Sequence, residues 1–337
     1  MKLNRAFVPA CLAVLGTLPV VMRSSQFSPP SRTFLFTYQV TLKAVPEGAH
    51  RVRVWIPRPA SDGHQTVVLK GVHAPVKFRE TREQTFGNSI LYGELLPPLH
   101  DTAEITVEYE VTRKEYSRGT FEQLVKVERE ASDDPPATLG RWLLPDRLVP
   151  VSGRMKELAD DNTRGLHTPL EKAHALYDYV FHTVRYDKSG TGWGRGDSLW
   201  VCDSKHGNCT DFHSLFMSMA RADGIPARFE MGFPIPAGAA EGVIPGYHCW
   251  SEFFVNGIGW VPVDISEAWK NPGKHDYFFG SLDANRVQFT VGRDLTLQPK
   301  QDGPPLNYFV YPYVEVDGQP FDGVGKKFSF RDVPAGK

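Results

Sequence analysis

Neither sign of charge is in excess: 38 Lys and Arg stand against 39 Asp and Glu. With no overall field, the chain has nothing to attract nucleic acid or an anionic membrane, and no polyanion partner is expected. Beyond the N-terminal residues there is no apolar run long enough to span a bilayer. The closely spaced Gly190, Gly192, Gly194 and Gly196 lack the lysine and hydroxyl pair of a phosphate-binding loop, and suit the mobile rim of a cleft better. Nothing resembles a calcium loop, so no cofactor and no obligatory metal is expected. Cysteine is scarce, with 4 in the whole chain.

The N terminus carries Lys2 and Arg5 ahead of an apolar run from Ala6 to Met22, broken by Pro9 and Pro19. Residues 1–28 therefore read as an export signal, with an uncleaved anchor as the rival and a lipid-modified Cys11 as a third option. The expected location is periplasmic or extracellular, with membrane contact only through that segment. Removing it leaves Cys202, Cys209 and Cys249, an odd set in which at least one thiol is free or paired between chains.

At 337 residues, with 41% hydrophobic and 12% aromatic content, the chain has enough apolar mass for two domains. Residues 32–130 alternate with period two in "FLFTYQVTLKAV", "RVRVWIPRP", "QTVVLKGV" and "AEITVEYEVTRKEY". Turn residues separate these runs, and the pattern predicts an antiparallel β-sandwich. A proline-rich acidic stretch opens the linker, residues 131–152, and the second domain takes residues 153–337 with a C-terminal β extension. Helical periodicity marks that domain in "TPLEKAHALYDYVFHTV", with Thr168 as cap and Pro169 at the first helical position.

The stretch "GNCTDFHSLFMSMARADG" places Asn208 as a helix cap, Asp211 as its capping-box partner and Cys209 at the first helical position. Phe212, Leu215, Phe216, Met219 and Ala220 form the expected buried stripe. A thiol there faces unsatisfied N–H groups and the positive end of the helix dipole, which favour the thiolate. Downstream, "GYHCWSEFFVNGIGWVPVDIS" predicts two strands joined at "NGIG", so that His248 at one start and Asp264 at the other end become neighbours.

The three motifs "GNCTDFHSLF", "GYHCWSEFF" and "GWVPVDIS" resemble, in order and spacing, the core motifs of the transglutaminase-like superfamily, over roughly Met155 to Ser266. That superfamily has a papain-like fold and contains transglutaminases, cysteine proteases and peptide amidases. The whole arrangement is similar to that of secreted bacterial members. The resemblance implies an α+β chain in which a β-sandwich precedes a papain-like core. It further implies Cys209 as nucleophile, His248 as base and Asp264 as the residue that orients the histidine. Trp200 is the candidate for an upstream oxyanion donor.

Cys202, His206, Cys209, His213, His248 and Cys249 also admit a reading as metal ligands, although their spacing is no familiar zinc pattern. His213 stands where a small or apolar residue is expected. Strand alternation turns Cys249 away from His248, which makes a Cys202–Cys249 disulfide an expectation. Two function classes follow. One is thiol-dependent acyl transfer on protein or peptide amides, to water or to an amine; the other is a cell-envelope binding module that keeps the fold without turnover. No sequence feature sets the oligomeric state.

Overall fold

The structure is a computed structural model that describes residues 30–96, 102–128 and 137–334. The expected export segment and the acidic start of the linker lie outside the described residues. In the N-terminal part come β1 (Ser31–Lys43), β2 (Val52–Arg58), β3 (Gln65–His73), β4 (Arg79–Arg82), β5 (Ser89–Leu95), β6 (Thr102–Lys114) and β7 (Tyr116–Ser117). Helices follow as α1 (Phe121–Glu128), α2 (Arg154–Thr163) and α3 (Pro169–Thr183), then β8 (Arg185–Tyr186), α4 (Ser198–Ser204), β9 (His206–Gly207) and α5 (Cys209–Ala222). Beyond them lie β10 (Ala227–Pro234), β11 (Glu241–Ile244), β12 (His248–Val255), β13 (Gly259–Val263), α6 (Ile265–Lys270) and α7 (His275–Phe278). The chain closes with β14 (Ser281–Leu282), β15 (Arg286–Val291), β16 (Tyr313–Val316), β17 (Gln319–Pro320) and β18 (Val324–Asp332).

The period-two runs form strands where the spacing predicts them. In β1, Phe34, Phe36, Tyr38, Val40 and Leu42 are buried, and in β6 Ala103, Ile105, Val107, Tyr109 and Val111 are buried, while the residues between them face outward. One five-stranded sheet runs β11-β18-β1-β6-β3 and another runs β17-β16-β2-β5-β4. The β extension expected to belong to the second domain therefore completes both sheets of the first. Phe34 pairs with Asp332 and Tyr313 with Trp55. Without β18, β1 would expose a row of unpaired N–H and C=O groups on one side, which pairing with the C-terminal strand satisfies.

The second half is mixed α and β, with a four-stranded antiparallel sheet in the order β13-β12-β10-β15. Helix α3 starts as predicted: Thr168 caps Glu171 N–H, Glu171 returns the bond, and Pro169 takes the first turn, where a missing N–H costs nothing. Helix α5 is buried from Cys209 to Arg221 on all sides, not along one stripe, because α2, α3 and α4 pack against it opposite β10 and β12. This central helix shares one apolar core with the inward residues of β1, β2 and β6. Trp142 meets the Phe86 ring at a tilt and the Trp260 ring edge-on, at ring distances of 5.2 and 5.7 Å. Among the described residues, no helix is long and apolar enough to cross a membrane.

Candidate active site

Asn208 adopts extended backbone angles and accepts Thr210 N–H at 2.9 Å, and Asp211 accepts Asn208 N–H at 2.9 Å. This reciprocal cap starts α5 at Cys209, so the thiol stands on the first turn, as the sequence predicts. Asp211 does more than cap. Its carboxylate also takes Gly194 N–H at 2.6 Å and Gly196 N–H at 2.9 Å. The loop expected as a mobile rim is thus bonded down on the helix start, and Arg293 fixes it further through the carbonyls of Arg195 and Gly196. Gly192 and Gly196 have φ of 98° and 61°, and a Cβ at Gly192 would meet the Trp200 indole, so side chains are barred there by both conformation and space.

Strands β12 and β13 pair with Ser251 opposite Val263 and Val255 opposite Gly259, which brings the start of one beside the end of the other. His248 and Asp264 meet there: His248 Nε2 donates to Asp264 Oδ2 at 2.7 Å. That leaves Nδ1 as the ring nitrogen free to serve the thiol, and His248 is hydrogen-bonded to Cys209. Asp264 is fully buried at the N-cap of α6, where its Oδ1 accepts Glu267 N–H at 3.1 Å. Arg286 Nη1, from β15, donates to Oδ2 at 2.8 Å.

These neighbours set the protonation states. Burial works against charge on Asp264, but His248 and Arg286 outweigh it and hold the carboxyl well below the usual range. Burial likewise works against a charged His248, yet Asp264 and then Cys209 raise it to about 10. For Cys209, burial opposes ionisation and is overcome by hydrogen bonds from Cys249 and His248, so the thiol lies well below its ordinary value. The lowered Cys209 and the raised His248 together favour a thiolate beside an imidazolium.

A match to the sequence profile of the transglutaminase-like superfamily spans residues 156–265, which hold all three of these side chains. The chain carries a transglutaminase-like core. Its sequence is similar to an uncharacterized protein of Haemophilus influenzae, 27% identical across 94% of this chain and 95% of that one. It is also similar to the uncharacterized protein YebA of Bacillus subtilis, 25% identical across 46% of this chain and 22% of that one. Among solved structures it resembles a candidate cysteine protease from Cytophaga hutchinsonii, with a TM-score of 0.60, 13% identity, and 92% and 94% of the two chains covered. That likeness concerns the fold.

Other parts of the transglutaminase-like core depart from the sequence reading. Cys202, Cys209 and Cys249 are all free, so the expected Cys202–Cys249 disulfide is absent. Its Cys249 arm is engaged elsewhere: the Cys249 sulfur lies 3.7 Å from Thr210 Oγ1 and 3.8 Å from His213 Nδ1. Burial and the contact with Cys209 push Cys249 well above its ordinary value, which keeps it a thiol. His213, the unexpected polar residue, is a strut. Its Nδ1 donates to Cys209 O at 2.7 Å and its Nε2 accepts Ile265 N–H at 3.1 Å, which fixes a neutral ring. Burial lowers it to about 4 in agreement.

His206 turns away to Asp187 O at 3.3 Å, and among the described residues no three His, Cys, Asp or Glu side chains are grouped as a metal cage. Trp200 spends its main-chain N–H on Asp197 Oδ1 at 3.3 Å, and its indole lies 5.2 Å from the His206 ring. Two contributors were missed by the sequence reading. The Tyr247 hydroxyl takes Asn208 Nδ2 at 2.8 Å and bonds Thr210 Oγ1 at 2.9 Å, tying the start of β12 to the start of α5. It stands inside the "GYHCW" motif, a readable place. Arg286 stands on a strand with no local motif.

Proposed function

We propose that this protein is a thiol-dependent acyl transferase acting on protein or peptide amide bonds, as a cysteine peptidase or amidase or as a transglutaminase-type enzyme. The observation that carries the reading is the bond of His248 Nε2 to Asp264 Oδ2 at 2.7 Å, on a ring that is also hydrogen-bonded to the thiol at the start of α5. In this reading Cys209 thiolate attacks the amide carbonyl, and the electron pair moves onto the oxygen. The main-chain N–H of Cys209, unpaired within the helix at its first position, is one donor for that oxyanion, and the Trp200 indole N–H is the proposed second. His248 gives its proton to the leaving amine, and a thioester remains on Cys209. Water or an amine, deprotonated by His248, then takes the acyl group. Asp264 keeps the ring in its tautomer and stabilises its charge.

The N-terminal sheets, read as a sandwich, are the proposed platform of this core in an exported protein, periplasmic or extracellular. The alternative of a binding module without turnover is the weaker reading. A pure binder gains nothing from a thiol held in its reactive form in an oxidising compartment.

The test is mass spectrometry of a peptide library incubated with the protein and with Cys209→Ala, each with and without a primary amine. Cleaved or deamidated products from the wild type alone support hydrolysis. Amine adducts from the wild type alone support transamidation. Identical product sets from the two proteins would leave the binding module.

A further inference from the structure

On the face of the sheet to which His248, Trp250 and Glu252 alternate, a cavity of about 370 Å³ opens between the β3 and β5 ends of the N-terminal sheets and strands β10, β12, β13 and β15. This volume lies in the range of small-molecule sites, on the order of 300 to 1,000 Å³. Its walls are of two kinds. Trp250, Trp260 and Tyr116 present aromatic surface, and Arg113, Arg118, Arg228, Asp62, Glu230 and Glu252 present ionisable groups.

The charges are not matched. Arg228 bonds Glu252 through Nε at 3.0 Å and Nη2 at 2.6 Å, and its Nε also lies 3.0 Å from Glu230. Both buried carboxylates are thus taken by one guanidinium. Arg113 is 2% exposed, and its side chain makes a single hydrogen bond among the described residues, a long one of 3.4 Å to Gln65 Oε1. That oxygen already accepts Gln288 N–H at 2.9 Å. Arg113 Nε has no partner among the described residues. A buried guanidinium with donors to spare is costly unless an anion meets it, and here it lines a space large enough to hold one.

The remaining lining fits a singly charged anion. Burial lifts Glu230 to about 8 despite Arg228, whose attention is divided, which weakens its negative charge. Burial and then Arg113 lower His64, stacked on Tyr116, to about 4, so it adds no charge. Arg228 offsets Glu252, Arg118 and Asp62 also line the cavity with opposite charges, and Arg113 is left over.

We propose that this cavity is a binding site for a small organic monocarboxylate, whose carboxylate bonds Arg113 and whose flat or apolar body lies against Trp250 and Trp260. The site is separate from the thiol, and the inference does not rest on the acyl-transfer reading. It does adjoin His248 on the same face of β12. Trp250 carries the Arg286 guanidinium at 5.0 Å from its ring, and its ring lies 6.0 Å from that of His248.

The experiment titrates the full chain with 3-phenylpropionate, with its neutral analogue 3-phenylpropanol and with inorganic phosphate. None of these contains a scissile amide, so acyl transfer does not enter. Tryptophan fluorescence and the melting temperature are read at pH 7. The expected result is a saturable fluorescence change and a raised melting temperature with 3-phenylpropionate alone. Arg113→Met should lose that response and melt, without ligand, at or above the wild-type temperature, since it removes an unpaired buried charge.

Arg113→Lys keeps the charge without the two-pronged geometry and should bind about tenfold more weakly, which tests the assignment even if Arg113→Met does not fold. The proposal is overturned by a wild type indifferent to 3-phenylpropionate, or by either variant binding it as the wild type does. A response to phosphate or to the alcohol equal to that of the carboxylate would overturn the ligand class.

Discussion

Arg286 Nη1 lies 2.8 Å from Asp264 Oδ2, the same oxygen that receives His248 Nε2. The carboxylate is therefore held in its charged form from two sides, and its orientation toward His248 does not depend on the histidine alone.

Arg286→Met tests this support. Asp264 has a folded-state pKa below its unfolded value, so its stabilisation is present above about 3.9 and is lost as the pH falls through the folded value. Removing the guanidinium raises that folded value and takes a charged partner from a buried carboxylate. Urea titration at pH 7 should show a loss of about 3–5 kcal/mol, with the acid limb of the stability curve displaced to higher pH. An unchanged curve would mean that the pair contributes nothing.

Asp211→Ala addresses the loop over the helix start. Three N–H groups, of Gly194, Gly196 and Asn208, lose their acceptor. A buried unsatisfied donor costs about 1–3 kcal/mol. Hydrogen exchange at Gly194 and Gly196 should quicken on the order of a hundredfold, while exchange in β1 and β6 should change no more than global stability requires. Equal protection of the two glycine amides in both proteins would contradict the assignment.

His213 supplies a pH signature of its own. Burial lowers it to about 4, below the unfolded value of about 6.5. Between those limits the unfolded chain binds the extra proton, so this group makes stability rise with pH across that window and contributes nothing to the slope above it. The rise should be on the order of 3 kcal/mol. In His213→Gln the curve should be flatter between pH 4 and pH 6.5, about one proton's worth of slope less. Parallel curves would show that His213 titrates normally.

What was legible in the sequence was local. The Asn208 and Asp211 cap, the start of α5 at Cys209 and the hairpin that joins His248 to Asp264 all depend on residues within a few positions or across a single turn. The β1 and β6 pattern was equally readable, because one buried face imposes period two. What was not legible depends on distant partners. Nothing near Val324–Asp332 says that this strand pairs with β1, and nothing near Arg286 says that its guanidinium reaches Asp264. His213 looked out of place because helical spacing assigns it to a packed face. Its fitness comes from two main-chain groups, Cys209 O and Ile265 N–H, and only the fold brings Ile265 to it. Cys249 was placed on the wrong errand for the same reason: alternation gave its face, but not the thiol and hydroxyl waiting there.

The central claim is that Cys209 and His248 form a thiolate and imidazolium pair, and the pH dependence of alkylation tests it most directly. Iodoacetamide modification of Cys209 in the folded protein, followed by peptide mass spectrometry from pH 4 to pH 10, should be rapid well below the ordinary thiol value of about 8.5. In His248→Ala the profile should move up toward that value with the fold intact. Asp264→Asn should slow the reaction less, because it disturbs the ring's orientation more than the charge beside the sulfur. Equal reactivity of wild type and His248→Ala in the acid range, or no modification of folded wild type at any pH, would contradict the account.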